Sequence, residues 1–339
     1  MKKEIPYLHL IRVVAVLMVI CLHCLPSAWL IEGIDKTFYA VVFFLTRPCV
    51  PLFFMISGVL LLPMENDIIC FYKKRLAKIV YPLLAWGVVY SILPYLMGLE
   101  TIKEAVIQCI SIPITMPGRF GGILWYLYIL IGIYLMIPFI NQKIFLKGYK
   151  IYLYVYLLAW LLASGVDLLH CYGIDVLGAR SFSSYHLLTY FSGYLGFCFL
   201  GNYLHQYPIR LNKYAIGIFI ILIFLSFILL WNRSELNHLY IEGFLSWGSI
   251  SLSIISFTLL SKVVIRNIYL YKIIKHISKL SFGIYLSHIV IYNTLIKGLY
   301  GISTSIFMQV LVMLLTITGS YLLVWLLSKL PFSKFVIGV

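Results

Sequence analysis

Three ionisable side chains stand in stretches of sequence that are otherwise apolar: Arg12, His23 and Arg47. Such groups are costly inside hydrocarbon and mark functional sites by default. An imidazole can take a proton from a hydroxyl near neutral pH. A guanidinium offers a planar fork to a phosphate or a developing oxyanion. Eleven positions separate Arg12 from His23, about three helical turns and about 16 Å of rise, so both face one way. The structural alternatives are an arginine that snorkels to the headgroups and a core imidazole bonded to a backbone carbonyl. Their shared face favours a polar path along one side of the first helix. Arg47 lies about nine residues into its apolar run, at a depth comparable with His23 and too deep for easy snorkelling. Beside it, Pro48 and Pro51 interrupt helical hydrogen bonding. Such breaks are tolerated at depth where protein or a water-filled cavity surrounds them, so residues 47–51 read as cavity wall.

The elements that carry these residues must be membrane helices. Of 339 residues 63% are hydrophobic and 11% charged, with a mean hydropathy of +1.01; an ordinary soluble domain has about 25% charged residues. A spanning helix needs about 20 mostly apolar residues. Apolar runs fall at about 8–31, 38–62, 79–98, 123–140, 151–166, 186–204, 214–231, 242–261, 280–298 and 304–327, the fifth interrupted by Gly165. The expected fold is therefore all-α: a polytopic integral membrane protein of about ten transmembrane helices, forming a single domain over residues 1–339.

Orientation follows from Lys and Arg, which are retained on the cytoplasmic side near helix ends. With the N-terminus inside, the cytoplasmic connections hold eighteen basic residues, among them Lys2, Lys3, Lys73, Lys74, Arg75, Lys78, Lys262, Lys279 and Lys334. The opposite connections hold six: Lys36, Lys103, Arg119, Arg180, Arg233 and Lys297. This asymmetry supports ten crossings and puts both termini in the cytoplasm.

The formal charge of +15 does not point to nucleic acid, because the cations are spread over loops without the signatures of such modules. A basic inner face would instead attract anionic lipid or a phosphorylated cosubstrate. Seven scattered cysteines imply no disulfide framework. Cys21 and Cys24 bracket His23, but no second ligand pair sits nearby at metal spacing, so no metal is expected. Lys2 and Lys3 ahead of an apolar stretch resemble a signal peptide, yet Arg12 and the lack of a small-x-small cleavage site favour a retained helix. No internal repeats are evident.

Four motifs in order resemble the acyltransferase-3 family of bacterial integral membrane O-acyltransferases. Arg12 and His23 match its arginine, ten residues and histidine on the first helix. Val50-Pro51-Leu52-Phe53-Phe54-Met55-Ile56-Ser57-Gly58 matches its Val-Pro-Leu-Phe-Phe-x-Ile-Ser-Gly signature. Leu124-Trp125-Tyr126-Leu127 is similar to its mid-chain Trp-Tyr pattern, and Ser281-Phe282-Gly283-Ile284-Tyr285-Leu286-Ser287-His288 to its late Gly-Ile-Tyr-Leu-x-His pattern. The resemblance spans about residues 7 to 330. One departure is Arg75-Leu76-Ala77-Lys78, where the family has Arg-x-x-Arg: the charge is kept and the second guanidinium fork is lost. The expected form is a stand-alone membrane domain without the extracytoplasmic hydrolase-like domain fused to some members.

The resemblance implies transfer of an acyl group, often acetyl, from cytoplasmic acyl-coenzyme A to a hydroxyl of a surface or lipid-linked carbohydrate in the bacterial plasma membrane. The membrane part would complete the transfer alone or with a separate extracytoplasmic transferase. On that reading Arg12, Arg75 and Lys78 receive the coenzyme phosphates, His23 is the general base, and Arg47 stabilises the oxyanion or orients the acceptor. Tyr285 and His288 shape the site, bind acceptor or pack helices. Trp125 and Tyr126 anchor at the interface or stack on a sugar ring. Ser57 and Gly58 read as close helix packing. No Asp or Glu lies deep in any run to orient His23; Glu32, Asp35 and Glu242 near the outer ends are distant candidates. The alternative from another class is a transporter or flippase for a glycan or acyl-group precursor, for which buried Arg and His are equally natural. The break at Arg47–Pro51 has no counterpart in a second half, which weighs against it.

Overall fold

The computed structural model describes residues 4–25, 34–65, 67–171, 173–179, 185–231, 243–298 and 306–338. Among them there is no strand. The chain is an all-α, multi-pass membrane protein. Lys2, Lys3, Glu32, Arg180, Arg233 and Glu242 lie outside the described residues, and of Asp35, Lys36 and Lys297 only the backbone is described.

The helices are α1 (Pro6–Cys24), α2 (Ile34–Thr46), α3 (Cys49–Leu61), α4 (Ile68–Leu96), α5 (Ile102–Ser111), α6 (Trp125–Met136) and α7 (Lys150–Cys171). They continue as α8 (Leu195–Gln206), α9 (Lys213–Trp231), α10 (Trp247–Lys262), α11 (Ile268–Gly298), α12 (Ile306–Leu327) and the short α13 (Ser333–Val336). Each of the ten apolar runs contains helix among the described residues. Among the described residues, six stretches are long and apolar enough to cross a membrane by length and composition: Pro6–Cys24, Phe38–Leu61, Ile68–Leu96, Gly121–Phe139, Lys147–His170 and Ile306–Leu327.

Several boundaries differ from the hydropathy reading, each for a local reason. Asp67 accepts from the backbone N–H groups of Ile69 and Cys70 at 3.0 and 3.4 Å, so α4 starts well before its apolar run. Asn267 does the same for Tyr269 and Leu270, at 2.9 and 3.1 Å. The basic stretches around residues 73–78 and 272–279, read as connections, are therefore the opening turns of long helices. Gly165 does not interrupt α7. A Cβ there would collide with the ring of Trp247, whose Nε1 donates to the Leu161 carbonyl at 2.9 Å. The sixth run is helical only from Leu195, after a short turn at Thr189–Phe191.

The residues group into two compact units. The first holds residues 1–18, 27–64 and 140–265. Its centre is the crossing of α3 and α8, where two glycines face opposite backbones. A Cβ on Gly58 would overlap the Cys198 carbonyl, and one on Gly201 would overlap the Met55 carbonyl. Removing the side chain lets the backbones touch, so Gly58 packs helices, as small residues do in membranes. Ser57 donates back to the Phe53 carbonyl at 3.0 Å. The second unit holds residues 19–26, 65–139 and 266–339, with α4, α5, α6, α11, α12 and α13. All six cysteines with described side chains are free thiols.

Candidate active site

In the second unit, five of the residues singled out from sequence are linked by successive ring contacts. His23 stands on the last turn of α1, and its ring lies 5.2 Å from that of His288 on α11. Tyr285, one turn earlier on α11, lies 5.9 Å from His288 and 5.6 Å from Tyr126 on α6. Trp125 makes an edge contact with Tyr126 at 6.5 Å. All four separations are within or close to the range of favourable ring contacts.

The cluster is held by hydrogen bonds to backbone carbonyls. The Tyr285 hydroxyl donates to the Ile123 carbonyl in the turn before α6. Tyr90 on α4, fully buried, donates to the Leu286 carbonyl at 2.7 Å. His288 is fully buried, and its Nδ1 lies 2.6 Å from the Tyr285 carbonyl. Only N–H can donate to a carbonyl, so the proton sits on Nδ1 and Nε2 presents a lone pair. That Nε2 is buried and has no hydrogen-bond partner among the described residues. His23 is exposed at the edge of the cluster, whereas Tyr126, Tyr285 and His288 are buried beneath it. On α1, Cys24 next to it is buried.

Two of the three cations assigned from sequence to the coenzyme phosphates, Arg75 and Lys78, belong to a second feature of the same unit. Lys74, Arg75, Lys78 and Tyr81 on α4, with Lys334, Phe335 and Gly338 of the C-terminal segment, line a cavity of about 810 Å³. Arg75 and Lys78 stand three apart on a helix and so share a face. Lys334 joins them because the Trp86 Nε1 donates to the Val336 carbonyl at 2.9 Å and Tyr81 packs edge-on against Phe335 at 5.0 Å. Gly338 has φ +70° and lies beside the Lys78 carbonyl. Pro82, four residues on, has no N–H to occupy that carbonyl. Residues 74–78 and 334–338 thus line one cavity.

Arg12 and Arg47 belong to the first unit. Arg12 is half-buried on α1, in an unbroken helix that keeps its eleven-residue spacing to His23. Arg47 is 5% exposed in the turn between α2 and α3, the break expected beside Pro48. Its guanidinium carbon sits 3.7 Å from the centroid of Phe43 and 5.2 Å from that of Phe244. Its carbonyl accepts from Ser249 at 3.5 Å. The break is thus enclosed by protein, with Cys49, Val50 and Pro51 buried.

Tyr90 and Lys334 escaped the sequence reading. Tyr90 is one of 27 tyrosines, and nothing local marks it out. Lys334 was visible as a cytoplasmic cation, but only the fold brings it to α4.

Among curated proteins and among solved structures, none matches this chain. The acyltransferase-3 family model, described as an acyltransferase domain, does: it matches residues 5–325 of 339, from α1 with its arginine and histidine to α12. With the histidine, tyrosine and arginine motifs in order along a multi-pass helical chain, the protein belongs to the acyltransferase-3 family and is a membrane acyltransferase.

Proposed function

We propose that this protein is an O-acyltransferase that moves an acyl group, in the simplest case acetyl, from cytoplasmic acyl-coenzyme A to a hydroxyl of a surface or lipid-linked carbohydrate. The observation that carries this reading is the run of ring contacts from His23 through His288 and Tyr285 to Tyr126, residues from three helices. In this reading the acceptor hydroxyl gives its proton to His23 as its oxygen attacks the thioester carbon. The tetrahedral oxyanion collapses with cleavage of the carbon–sulfur bond, and the proton leaves His23 for the departing thiolate. Ester and free coenzyme A result, and no metal is needed. Arg12 and Arg47 enter this reading from the sequence alone, Arg12 toward the coenzyme phosphates and Arg47 toward the oxyanion or the acceptor.

The cation-lined cavity suits the nucleotide end of the donor. Arg75 offers a bidentate fork, and Lys74, Lys78 and Lys334 act as point charges. Tyr81 and Phe335 supply ring faces on which a purine can stack. Along α4 from Lys78 to Tyr90 the rise is about 18 Å, a span suited to an extended pantetheine arm. Tyr90 bonds the carbonyl of Leu286, beside Tyr285 and two residues from His288.

The test is transfer of label from acetyl-coenzyme A to membrane glycans in cells with and without the protein. Label that appears only with the protein, and is lost in His23→Gln, supports the reading. If the parent acylates no glycan but glycan export fails in its absence, a transport function takes its place.

A further inference from the structure

In the first unit a separate cavity lies where α7 begins. Gly148, Lys150, Ile151, Tyr154 and Tyr203 line about 530 Å³ of space between the first turns of α7 and the end of α8. Side chains of α8 and the residue after it fasten the two elements there. The Gln206 amide donates to the Phe145 carbonyl at 2.7 Å, and the Tyr207 hydroxyl donates to the Lys147 carbonyl at 2.9 Å. The Lys150 ammonium stands 4.9 Å from the centroid of the Tyr207 ring, a cation–π contact that holds the charge at the cavity while its N–H donors can still serve an anion. Lys147 opens one of the stretches long and apolar enough to span a membrane, so the cavity stands at a bilayer surface. Beyond it Ile151, Val155, Leu158 and Leu162 are all exposed, and their spacing puts them on one face of α7. That face extends about 16 Å along the axis, about the depth of one leaflet in a hydrocarbon core of roughly 30 Å.

We propose that this cavity binds the phosphate headgroup of an anionic membrane lipid, with an acyl chain of that lipid lying along the Ile151–Leu162 face. Lys150 supplies the charge, and the hydroxyls of Tyr154 and Tyr203 can donate to phosphate oxygens. Basic pockets between membrane helices hold anionic headgroups in this way, and a lysine at the surface attracts them further. Gly148 leaves the room: a Cβ built there meets nothing within 4 Å. Inorganic phosphate could use the same donors. It would leave the apolar face unused, whereas Ile151 belongs both to the cavity and to that face and so joins headgroup to chain. A zwitterionic headgroup brings its own cation to Lys150 and gains less. A lipid seated here braces the junction of α7 with α8, the helix whose Gly201 packs against α3. The site is independent of the acyl-transfer reading and of the histidine cluster.

Native mass spectrometry of the full-length protein in detergent, titrated with phosphatidylglycerol or phosphatidylcholine, tests this. The parent should retain one phosphatidylglycerol about five- to tenfold more tightly than phosphatidylcholine, and an excess of inorganic phosphate should not displace it. Lys150→Gln should erase the preference. Gly148→Leu should weaken phosphatidylglycerol binding by filling the cavity with every charge kept. Lys213→Gln, at the start of α9 and outside the cavity, removes an equal charge and should leave the preference intact. An unfolding temperature near the parental value in the absence of added lipid shows that each variant is folded. Equal binding of the two lipids by the parent overturns the site without any variant. Displacement by inorganic phosphate means an anion site and not a lipid site. A preference that survives both Lys150→Gln and Gly148→Leu, or one that falls as far in Lys213→Gln as in Lys150→Gln, moves the binding away from this cavity to the surface charge at large and ends the assignment.

Discussion

The indole of Trp86 donates to the carbonyl of Val336 at 2.9 Å, so helix α4 holds the C-terminal segment from a distance of 250 residues in sequence. Trp86 is 4% exposed, one turn from Tyr90, which in turn holds the α11 backbone at Leu286. One helix thus ties the cation-lined cavity to the histidine cluster.

Arg75→Ala should raise the donor KM about tenfold or more with a smaller change in kcat, because a hydrogen bond to a charged group is lost at the mouth and the chemistry is not touched. Steady-state kinetics with acetyl-coenzyme A checks this. A loss confined to the carbohydrate acceptor would remove Arg75 from the donor site.

Lys334→Ala should raise the donor KM several-fold, less than Arg75→Ala, since a lysine acts as a point charge. Trp86→Phe should mimic it without altering any charge, because the segment bearing Lys334 loses its tether. If Trp86→Phe leaves donor KM at the parental value, the C-terminal segment is not part of the donor site.

His23→Gln should reduce transfer by about 10² to 10⁴-fold with normal insertion in the membrane, the usual contribution of a general base. Glutamine remains polar and can hydrogen-bond but cannot accept the proton at neutral pH. Radiolabel transfer, normalised to protein in the membrane, is the measurement; a parental rate would end the catalytic reading.

Arg47→Lys should lower thermal stability and activity together. Its guanidinium packs 3.7 Å above Phe43, a contact worth up to about 2 kcal/mol when desolvated, and a lysine cannot stack in the same plane. Phe43→Leu tests the packing part alone. Unfolding temperature in detergent should fall for both variants, and activity should fall further for Arg47→Lys.

Gly58→Ala should destabilise by about 1–3 kcal/mol, as overpacking does, because the new methyl meets the Cys198 backbone, not a side chain that could turn away. A lowered unfolding temperature with unchanged donor KM in the surviving protein is expected. Wild-type stability would mean the α3–α8 crossing is looser than the structure shows.

Much of this was legible along the chain because it depends on local rules. A bilayer requires backbone bonds to close within each segment, so apolar runs become helices wherever they occur. Retention of Lys and Arg on one side grouped Arg75, Lys78 and Lys334 before any fold was known. Pro48 removes a backbone donor, and the break between Thr46 and Cys49 follows. The helix repeat alone aligns Arg12 with His23, and α1 runs unbroken between them.

Helix neighbours are another matter. Lipid is as apolar as a protein core, so the sequence carries little periodic signal for which face of a helix is buried and against what. His23 and His288 are far apart in the chain, and only packing sets their rings 5.2 Å apart. The same holds for Tyr126 against Tyr285, for Tyr90 beneath Leu286 and for Lys334 beside α4. Sequence by itself therefore determined the class of the protein, its helices and its candidate base, through rules that act within one segment. The tertiary structure decided which ring stands beside that histidine and that the C-terminal segment lines the cation cavity with α4, because those depend on contacts between segments that no local rule encodes.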